Sequence, residues 1–140
     1  MLKVYQAKNS IKIKLPLFVS SISAGFPSPA EDFVENELDL NEFLIRHPAA
    51  TFFVKVKGDS MINAGIADGD ILVVDRSLDP KNNSVAIAFL DGEFVVKRIC
   101  KKQSGLFLIP ENSRYQPIKI TEEMDFKIWG LVTFIIKKAI

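Results

Sequence analysis

The stretch SVAIAFLDGEFVVKRI, residues 84–99, decides the fold class, because it predicts two β-strands joined by a very short turn. The dipeptide Asp91-Gly92 is a strong signal for a two-residue hairpin of type I′, in which both central residues have positive φ. A turn of this length fixes which residues face each other across the hairpin. The sequence therefore predicts an antiparallel pair in which Ala86 lies opposite Lys97.

This pairing places Lys97 on an apolar face of the hairpin, because side chains alternate between the two faces of a strand. The first face carries Ala86, Ala88, Val95, Lys97 and Ile99, and the second carries Ile87, Phe89, Phe94 and Val96. In one interpretation Lys97 lies on an edge strand and its ammonium group reaches water. In the other, apolar surroundings lower the pKa of the lysine, so that it acts as a neutral general base.

Five further strand-length runs lie outside the hairpin, separated by turn residues. They are TFFVKVK (51–57), DILVVD (70–75), GLFLI (105–109), PIKI (117–120) and FKIWGLVTFII (126–136). Several runs are apolar on both faces, which is typical of strands covered on both sides. The sequence predicts a mainly β fold of strongly bent antiparallel sheets or a partly closed barrel. Gly130 is predicted to mark a bulge or bend in the last strand.

The amino-terminal region differs from the rest, since residues 1–30 contain three prolines and lack sustained helical periodicity. We predict an extended, mobile arm over residues 1–30 and a β domain over residues 31–140. Short helices are expected near the start of that domain. Ser28 and Asp39 each begin a capping pattern, and Pro48 ends the second helix.

Composition excludes several classes of protein. Eighteen Lys and Arg residues against seventeen Asp and Glu give a net charge of +1, so direct specific DNA binding is not expected. The single cysteine rules out an internal disulfide and fits a reducing cytoplasm. The apolar runs are too short for a signal peptide or a membrane span. We expect a cytoplasmic protein without metal or cofactor; a secreted or membrane-anchored protein is the weaker interpretation.

The segment KGDSMINAGIADGDILVVD, residues 57–75, places Ser60 in a turn-rich loop between two predicted strands. Some serine hydrolases activate the hydroxyl with lysine instead of histidine. The only histidine, His47, precedes a proline, where a surface or capping role is expected. Ser60 is therefore a candidate nucleophile, and the backbone N–H groups of Asp59 and Ser60 are candidate oxyanion donors. The alternative is that Ser60 is an ordinary turn residue.

A resemblance favours the catalytic interpretation. The matching motifs are GDSM (58–61), GIADGDILVVD (65–75) and DGEFVVKR (91–98). They resemble the Ser-Lys peptidase domain shared by LexA-type repressors and the UmuD family, whose fold is of the LexA and signal-peptidase type. The resemblance implies that Ser60 is the nucleophile and Lys97 the general base of a self-cleaving serine endopeptidase. Met61 is expected to pack beneath the loop.

The family cuts a bond in its own arm, at an Ala-Gly or Cys-Gly peptide. Here the matching bond is Ala24-Gly25, within SISAGFPSP (21–29). Residues 1–24 are too few, and lack the paired amphipathic helices, for the helix-turn-helix domain of a LexA-like repressor. The resemblance to the UmuD family covers nearly the whole chain, including LPLFVSSISAGFPSPAEDFVE (15–35) and LIPENSRYQPIKI (108–120).

The resemblance also implies partners and a role in the SOS response to DNA damage. The implied partners are a second copy of the chain in a homodimer, the RecA filament on single-stranded DNA as the stimulus for cleavage, and a UmuC-type Y-family polymerase for translesion synthesis. The replication sliding clamp is a further expected partner. The competing hypothesis is a non-catalytic dimeric module that regulates a polymerase or the RecA filament through its arm, with Ser60 and Lys97 incidental.

Overall fold

The computed structural model describes residues 3–6, 12–18 and 34–140. These residues form ten strands and one short α-helix, α1 (Leu40–Leu44). The strands are β1 Lys3–Gln6, β2 Lys14–Phe18, β3 Val34–Asp39, β4 Thr51–Lys55, β5 Ile71–Asp75, β6 Val85–Leu90, β7 Glu93–Lys102, β8 Gly105–Ile109, β9 Ile118–Lys119 and β10 Phe126–Ile136. Single 3₁₀ turns occur at Pro48–Ala50 and Ile62–Ala64. No helix among the described residues combines the length and apolarity needed to cross a bilayer.

Contacts divide the chain into two compact units, Asn9–Arg46 and the remainder, Met1–Lys8 with His47–Ile140. The larger unit holds an eight-stranded sheet in the order β1-β4-β5-β10-β6-β7-β8-β9, in which every neighbouring pair is antiparallel. The mainly β class is confirmed, and all seven predicted strands are present as β4 to β10. The sheet does not close into a barrel.

The central hairpin forms as the sequence predicts. Ala86 pairs with Lys97 across β6 and β7. Asp91 and Gly92 have φ values of 47° and 89°, the positive values that a type I′ turn requires. The local turn chemistry therefore fixes the register that carries Lys97 to its place in the sheet.

Two apolar clusters lie against the sheet. The first comprises Val54, Val56, Met61, Ile66, Leu72, Val74, Ile87 and Val96, and the second comprises Ala86, Ala88, Ile99, Leu108 and Leu131. Residues of the hairpin divide between the clusters as the predicted alternation requires, with Ile87 and Val96 in one and Ala86, Ala88 and Ile99 in the other. The hairpin is therefore covered on both faces, which explains its nearly continuous apolar sequence.

Gly130 marks a bulge, as predicted. The register of β10 against β6 shifts between Ile128 and Gly130. A Cβ atom added at Gly130 would lie 2.7 Å from Val74 Cγ1 on β5, closer than side-chain atoms normally approach. The glycine is thus required because the neighbouring strand passes very close to its backbone.

The smaller unit contains the antiparallel pair of β2 and β3, followed by α1. Asp39 caps this helix, since its carboxylate accepts hydrogen bonds from the backbone N–H groups of Asn41 at 2.9 Å and Glu42 at 3.3 Å. The predicted start of this helix is confirmed. The helix expected from Ser28 lies outside the described residues.

The expected arm of residues 1–30 is described only in part. Its described residues include the extended strands β1 and β2, and β1 pairs with β4 at the edge of the main sheet, from Lys3 opposite Lys55 to Gln6 opposite Phe52. The sequence did not predict this pairing. The boundary at residue 30 falls outside the described ranges and stays a prediction.

Candidate active site

Ser60 lies in the segment between β4 and β5, residues 56–70, which we call the Ser60 loop. Two aspartates accept backbone hydrogen bonds that stabilise the conformation of this loop. Asp68 Oδ1 accepts a hydrogen bond from the Gly58 N–H at 2.7 Å, and Asp70 Oδ2 accepts one from the Ala67 N–H at 2.8 Å. Gly58 has φ +97°, a conformation that side-chain-bearing residues rarely adopt, so a glycine is needed just before Asp59. The loop is rich in glycine and aspartate because these contacts shape it.

Asp70 also anchors the loop to the residue that follows β10, because its buried carboxylate pairs with the Lys137 ammonium group. Burial alone would raise the pKa of Asp70. The hydrogen bond from Ala67 and the charge of Lys137 outweigh burial and hold the pKa below its usual value. Asp70 is therefore ionised at neutral pH and keeps both contacts.

Met61 fixes the loop from beneath. Its side chain is 1% exposed and belongs to the first apolar cluster, as does that of Ile66. The carbonyl of Met61 accepts hydrogen bonds from the N–H groups of Ala64 at 3.0 Å and Ile66 at 3.3 Å. The predicted packing of Met61 is confirmed, since its side chain is buried in the first apolar cluster directly after Ser60.

The structure brings Ser60 and Lys97 together although 37 positions separate them in sequence. Lys97 Nζ donates to Ser60 Oγ at 2.9 Å and to the Val96 carbonyl at 3.1 Å. Both residues are half-buried. A separation of 2.9 Å lies within the range over which a general base can accept the proton of a hydroxyl group.

Burial lowers the pKa of the Lys97 ammonium group, because a charged amine loses part of its hydration inside the protein. This direction favours the neutral amine, the form able to accept a proton. The interpretation in which Lys97 simply extends into water does not match its contacts with Ser60 and Val96.

A cleft of about 380 Å³ opens beside the two side chains, lined by Lys57, Ser60 and residues 92–97. One wall is the outer edge of β7. This strand pairs with β6 from Glu93 onward but with β8 only from Arg98, and no other described strand pairs with its first half. From the register of the hairpin, Phe94 and Val96 direct their backbone N–H and C=O groups away from β6, toward this open edge. Such an edge is suited to an added peptide strand.

The candidate oxyanion donors are the backbone N–H groups of Ser60, which lines the cleft, and of the preceding residue, Asp59. Within the part of the chain that the structure describes, the backbone N–H groups of Asp59 and Ser60 donate to no other residue. The Asp59 carbonyl, by contrast, accepts from the Ile62 N–H at 3.1 Å and from Asn112 Nδ2 at 2.9 Å. The role of the two N–H groups stays a prediction, and the predicted bond Ala24-Gly25 lies outside the described residues.

Sequence reasoning missed Asn112 and Tyr115. Their side chains both contact Asp59, the residue before Ser60. Only a weak signal points to them: the stretch LIPENSRYQPIKI carries part of the family resemblance, and Asn112 in it has the residue type of a turn.

His47 has a structural role away from Ser60. Its Nδ1 lies 2.6 Å from Asp75 Oδ2, and Asp75 also accepts from Ser77. Burial would raise the pKa of Asp75, but the hydrogen bonds from Ser77 and His47 lower it overall. The described histidine, cysteine and acidic side chains do not gather in groups of three or more that could bind a metal ion.

Comparisons with known proteins identify the family of this chain. The model of the peptidase S24-like family matches residues 16–133. SamA of Salmonella typhimurium is 45% identical over 139 residues, covering 99% of this chain and 96% of SamA. MucA of Escherichia coli is 39% identical, covering 93% of this chain and 90% of MucA. ImpA of Shigella flexneri is 42% identical, covering 89% of this chain and 84% of ImpA. The chain therefore belongs to the peptidase S24-like family, within which it is a UmuD-type protein.

Proposed function

We propose that this protein is a serine endopeptidase that cleaves its own Ala24-Gly25 bond, with Ser60 as nucleophile and Lys97 as general base. The observation that carries the proposal is the hydrogen bond of 2.9 Å between Lys97 Nζ and Ser60 Oγ. Burial of the lysine supports it, because the lowered pKa increases the fraction of neutral amine. A lysine of this kind replaces the histidine of the familiar triad.

The reaction proceeds in two stages. Neutral Lys97 accepts the hydroxyl proton while Ser60 Oγ attacks the carbonyl carbon of Ala24, and the N–H groups of Asp59 and Ser60 stabilise the oxyanion. The bond from the Ala24 carbonyl to the Gly25 nitrogen then breaks, and Lys97 returns its proton to the departing amine. In the second stage Lys97 activates a water molecule, which hydrolyses the acyl ester. The products are residues 1–24 and a chain beginning at Gly25.

The cleft accounts for the small residues at the bond. A segment that pairs with the open edge of β7 would run past Ser60 in an extended conformation. Reaction requires the carbonyl carbon to come within about 3–3.5 Å of the attacking oxygen. Alanine and glycine allow this approach because they add little bulk on either side of the bond.

The family and its relatives support a proposal for the biological setting. We infer an SOS mutagenesis protein of the cytoplasm that acts as a homodimer and is cleaved when RecA filaments form on single-stranded DNA. The shortened dimer would then join a UmuC-type polymerase for translesion synthesis, with the sliding clamp as a further partner. RecA stabilises the docked arm in this proposal and supplies no catalytic group, because Ser60 and Lys97 already form a hydrogen bond within one chain.

The intact mass of the purified protein after incubation at mildly alkaline pH tests the proposed reaction. The parent should lose residues 1–24, whereas Ser60→Ala and Lys97→Ala should keep their full length. Cleavage at another bond, or equal cleavage in the variants, would contradict the proposal. If cleavage at alkaline pH still required RecA filaments, the proposed role of RecA would be wrong.

A further inference from the structure

A short segment after β8, residues 111–115, forms hydrogen bonds with Asp59, which precedes Ser60, and with Arg98, which follows Lys97. We call it the Asn112 segment. Ser60 lies in the Ser60 loop and Lys97 lies in β7. The distance between Ser60 Oγ and Lys97 Nζ therefore depends on the contacts that hold the loop against the strand. Met61 holds the loop only from beneath. The Asn112 segment adds side-chain hydrogen bonds to both the loop and the strand.

On the serine side, the segment holds Asp59 at two points. Asn112 Nδ2 donates to the Asp59 carbonyl at 2.9 Å, and the Tyr115 hydroxyl donates to Asp59 Oδ1 at 2.7 Å. The side chain of Asn112 is itself fixed, since the residue is 8% exposed and its Oδ1 accepts from the Arg114 N–H at 3.0 Å. The residue that precedes Ser60 is therefore held by its backbone and by its side chain.

On the lysine side, Glu111 makes the corresponding contacts. Its Oε1 accepts from Arg98 Nε at 2.6 Å, and Arg98 directly follows Lys97 in β7. The Glu111 carbonyl also accepts from the Asn63 N–H in the Ser60 loop at 2.8 Å. The segment thus connects the neighbour of the serine to the neighbour of the lysine.

The hydrogen bond to the Asp59 carbonyl has a second effect. This carbonyl and the Ser60 N–H belong to one planar peptide unit, and the structure contains no cis peptide bonds among its described residues. In a trans unit the two groups point in opposite directions. By fixing the carbonyl, Asn112 fixes the direction of the Ser60 N–H, which is a candidate oxyanion donor.

We propose that Asn112 and Tyr115 are positioning residues for the cleavage reaction, which set the direction of the Ser60 N–H and the separation of Ser60 Oγ from Lys97 Nζ. This inference rests on the proposed function. Neither residue touches the reacting bond; both act through Asp59. The hydrogen bond to Asp59 raises the pKa of the Tyr115 phenol, so the hydroxyl stays a donor at the alkaline pH at which cleavage is measured.

The first test is the first-order rate of self-cleavage in Asn112→Asp. This change preserves the size of the side chain and its acceptor oxygen but sets a carboxylate oxygen against the Asp59 carbonyl. Because loss of one oxyanion donor typically costs about 10²–10³ in rate, we expect a fall of at least about tenfold when the donor is only misdirected. Asn82→Asp is the matched control, since the exposed Asn82 uses only its side-chain oxygen, as acceptor from the Lys101 N–H. An unchanged rate in Asn112→Asp would overturn the proposal.

The second test separates positioning from general loosening of the structure. Tyr115→Phe removes one hydroxyl and should lower the rate. In an Asp59→Ala background, Tyr115→Phe should have no further effect, because the hydrogen bond is already lost. Tyr115→Phe should also lower the rate at every pH without moving the midpoint of the pH profile. A midpoint shifted toward that of free lysine would mean that the substitution merely exposes Lys97, and would contradict positioning.

Hydrogen exchange tests the inference independently of activity. Peptides from the Ser60 loop should exchange faster in Asn112→Asp and Tyr115→Phe than in the parent. The increase should be confined to this loop and the Asn112 segment, whereas a global loss of stability would raise exchange throughout the sheet. If the parent does not cleave itself, the proposed function fails while this measurement still decides whether the segment holds the loop. Exchange that is unchanged in both variants would overturn the inference.

Discussion

Raising the pH from 7 to 9 should accelerate self-cleavage by up to about 100-fold, because only the neutral form of Lys97 accepts the Ser60 proton. Below the pKa of the lysine, each pH unit increases the neutral fraction tenfold, and free lysine titrates near 10.4. Burial lowers the pKa of Lys97, so the rise should level off below the pH at which an exposed lysine would do so. The hydrogen bond of 2.9 Å is already short enough for the transfer, so under the proposed mechanism the rate should follow the fraction of neutral amine.

The assay is the intact mass of the protein over time, in buffers of equal ionic strength and without partners. Lys97→Arg is the matched control, because a guanidinium keeps a positive charge but stays protonated throughout this pH range. Loss of a general base typically costs about 10²–10⁴ in rate, and we expect a loss of that size in this variant. A rate that is flat from pH 7 to 9 would refute the reasoning, as would a Lys97→Arg variant with the profile of the parent.

Three further substitutions test the packing around the site by unfolding measurements. Lys97→Met should raise the thermal midpoint at neutral pH. The pKa of Lys97 is lower in the folded protein than in the unfolded chain, so between these two values the unfolded chain binds more protons and stability rises with pH. Below both values the buried ammonium charge lowers the stability of the folded protein, and methionine removes that charge. A lower thermal midpoint in Lys97→Met would count against this. Gly130→Ala should cost about 1–3 kcal/mol in urea unfolding, because the new Cβ would lie 2.7 Å from Val74 Cγ1, and an unchanged transition would show that the strands adjust freely. Met61→Ala should cost about 2–5 kcal/mol by the same measurement, because the side chain is 1% exposed, and a loss below about 1 kcal/mol would mean that Met61 does not anchor the loop.

The features that the sequence predicted well are those set by local chemistry. The Asp91-Gly92 turn specifies its own geometry and hence the register of β6 and β7, which in turn places Lys97. Alternating and continuous apolar runs identified β4 to β10, because a strand buried on one face has apolar residues at alternate positions and a strand buried on both faces has them at nearly every position. Met61 was predicted correctly because a large apolar residue in a polar loop needs a core to enter.

The features that the sequence did not predict depend on contacts between distant segments. Asn112 and Asp59 are 53 positions apart, and each is an ordinary turn residue in its own context. The pairing of β1 with β4 likewise depends on an edge that only the folded sheet provides. The partnership of Ser60 with Lys97 came from the family resemblance, since the residues alone left a turn serine and an exposed lysine as alternatives.

Covalent labelling of the serine is the most direct measurement of whether Lys97 activates Ser60. The purified protein would be treated with a fluorophosphonate probe at mildly alkaline pH, and the modified residues located by peptide mass spectrometry. The proposed pairing predicts labelling at Ser60 in the parent and a loss of that labelling in Lys97→Ala, with the other serines unmodified in both. Equal labelling of Ser60 in the two proteins, or labelling confined to other serines, would contradict it.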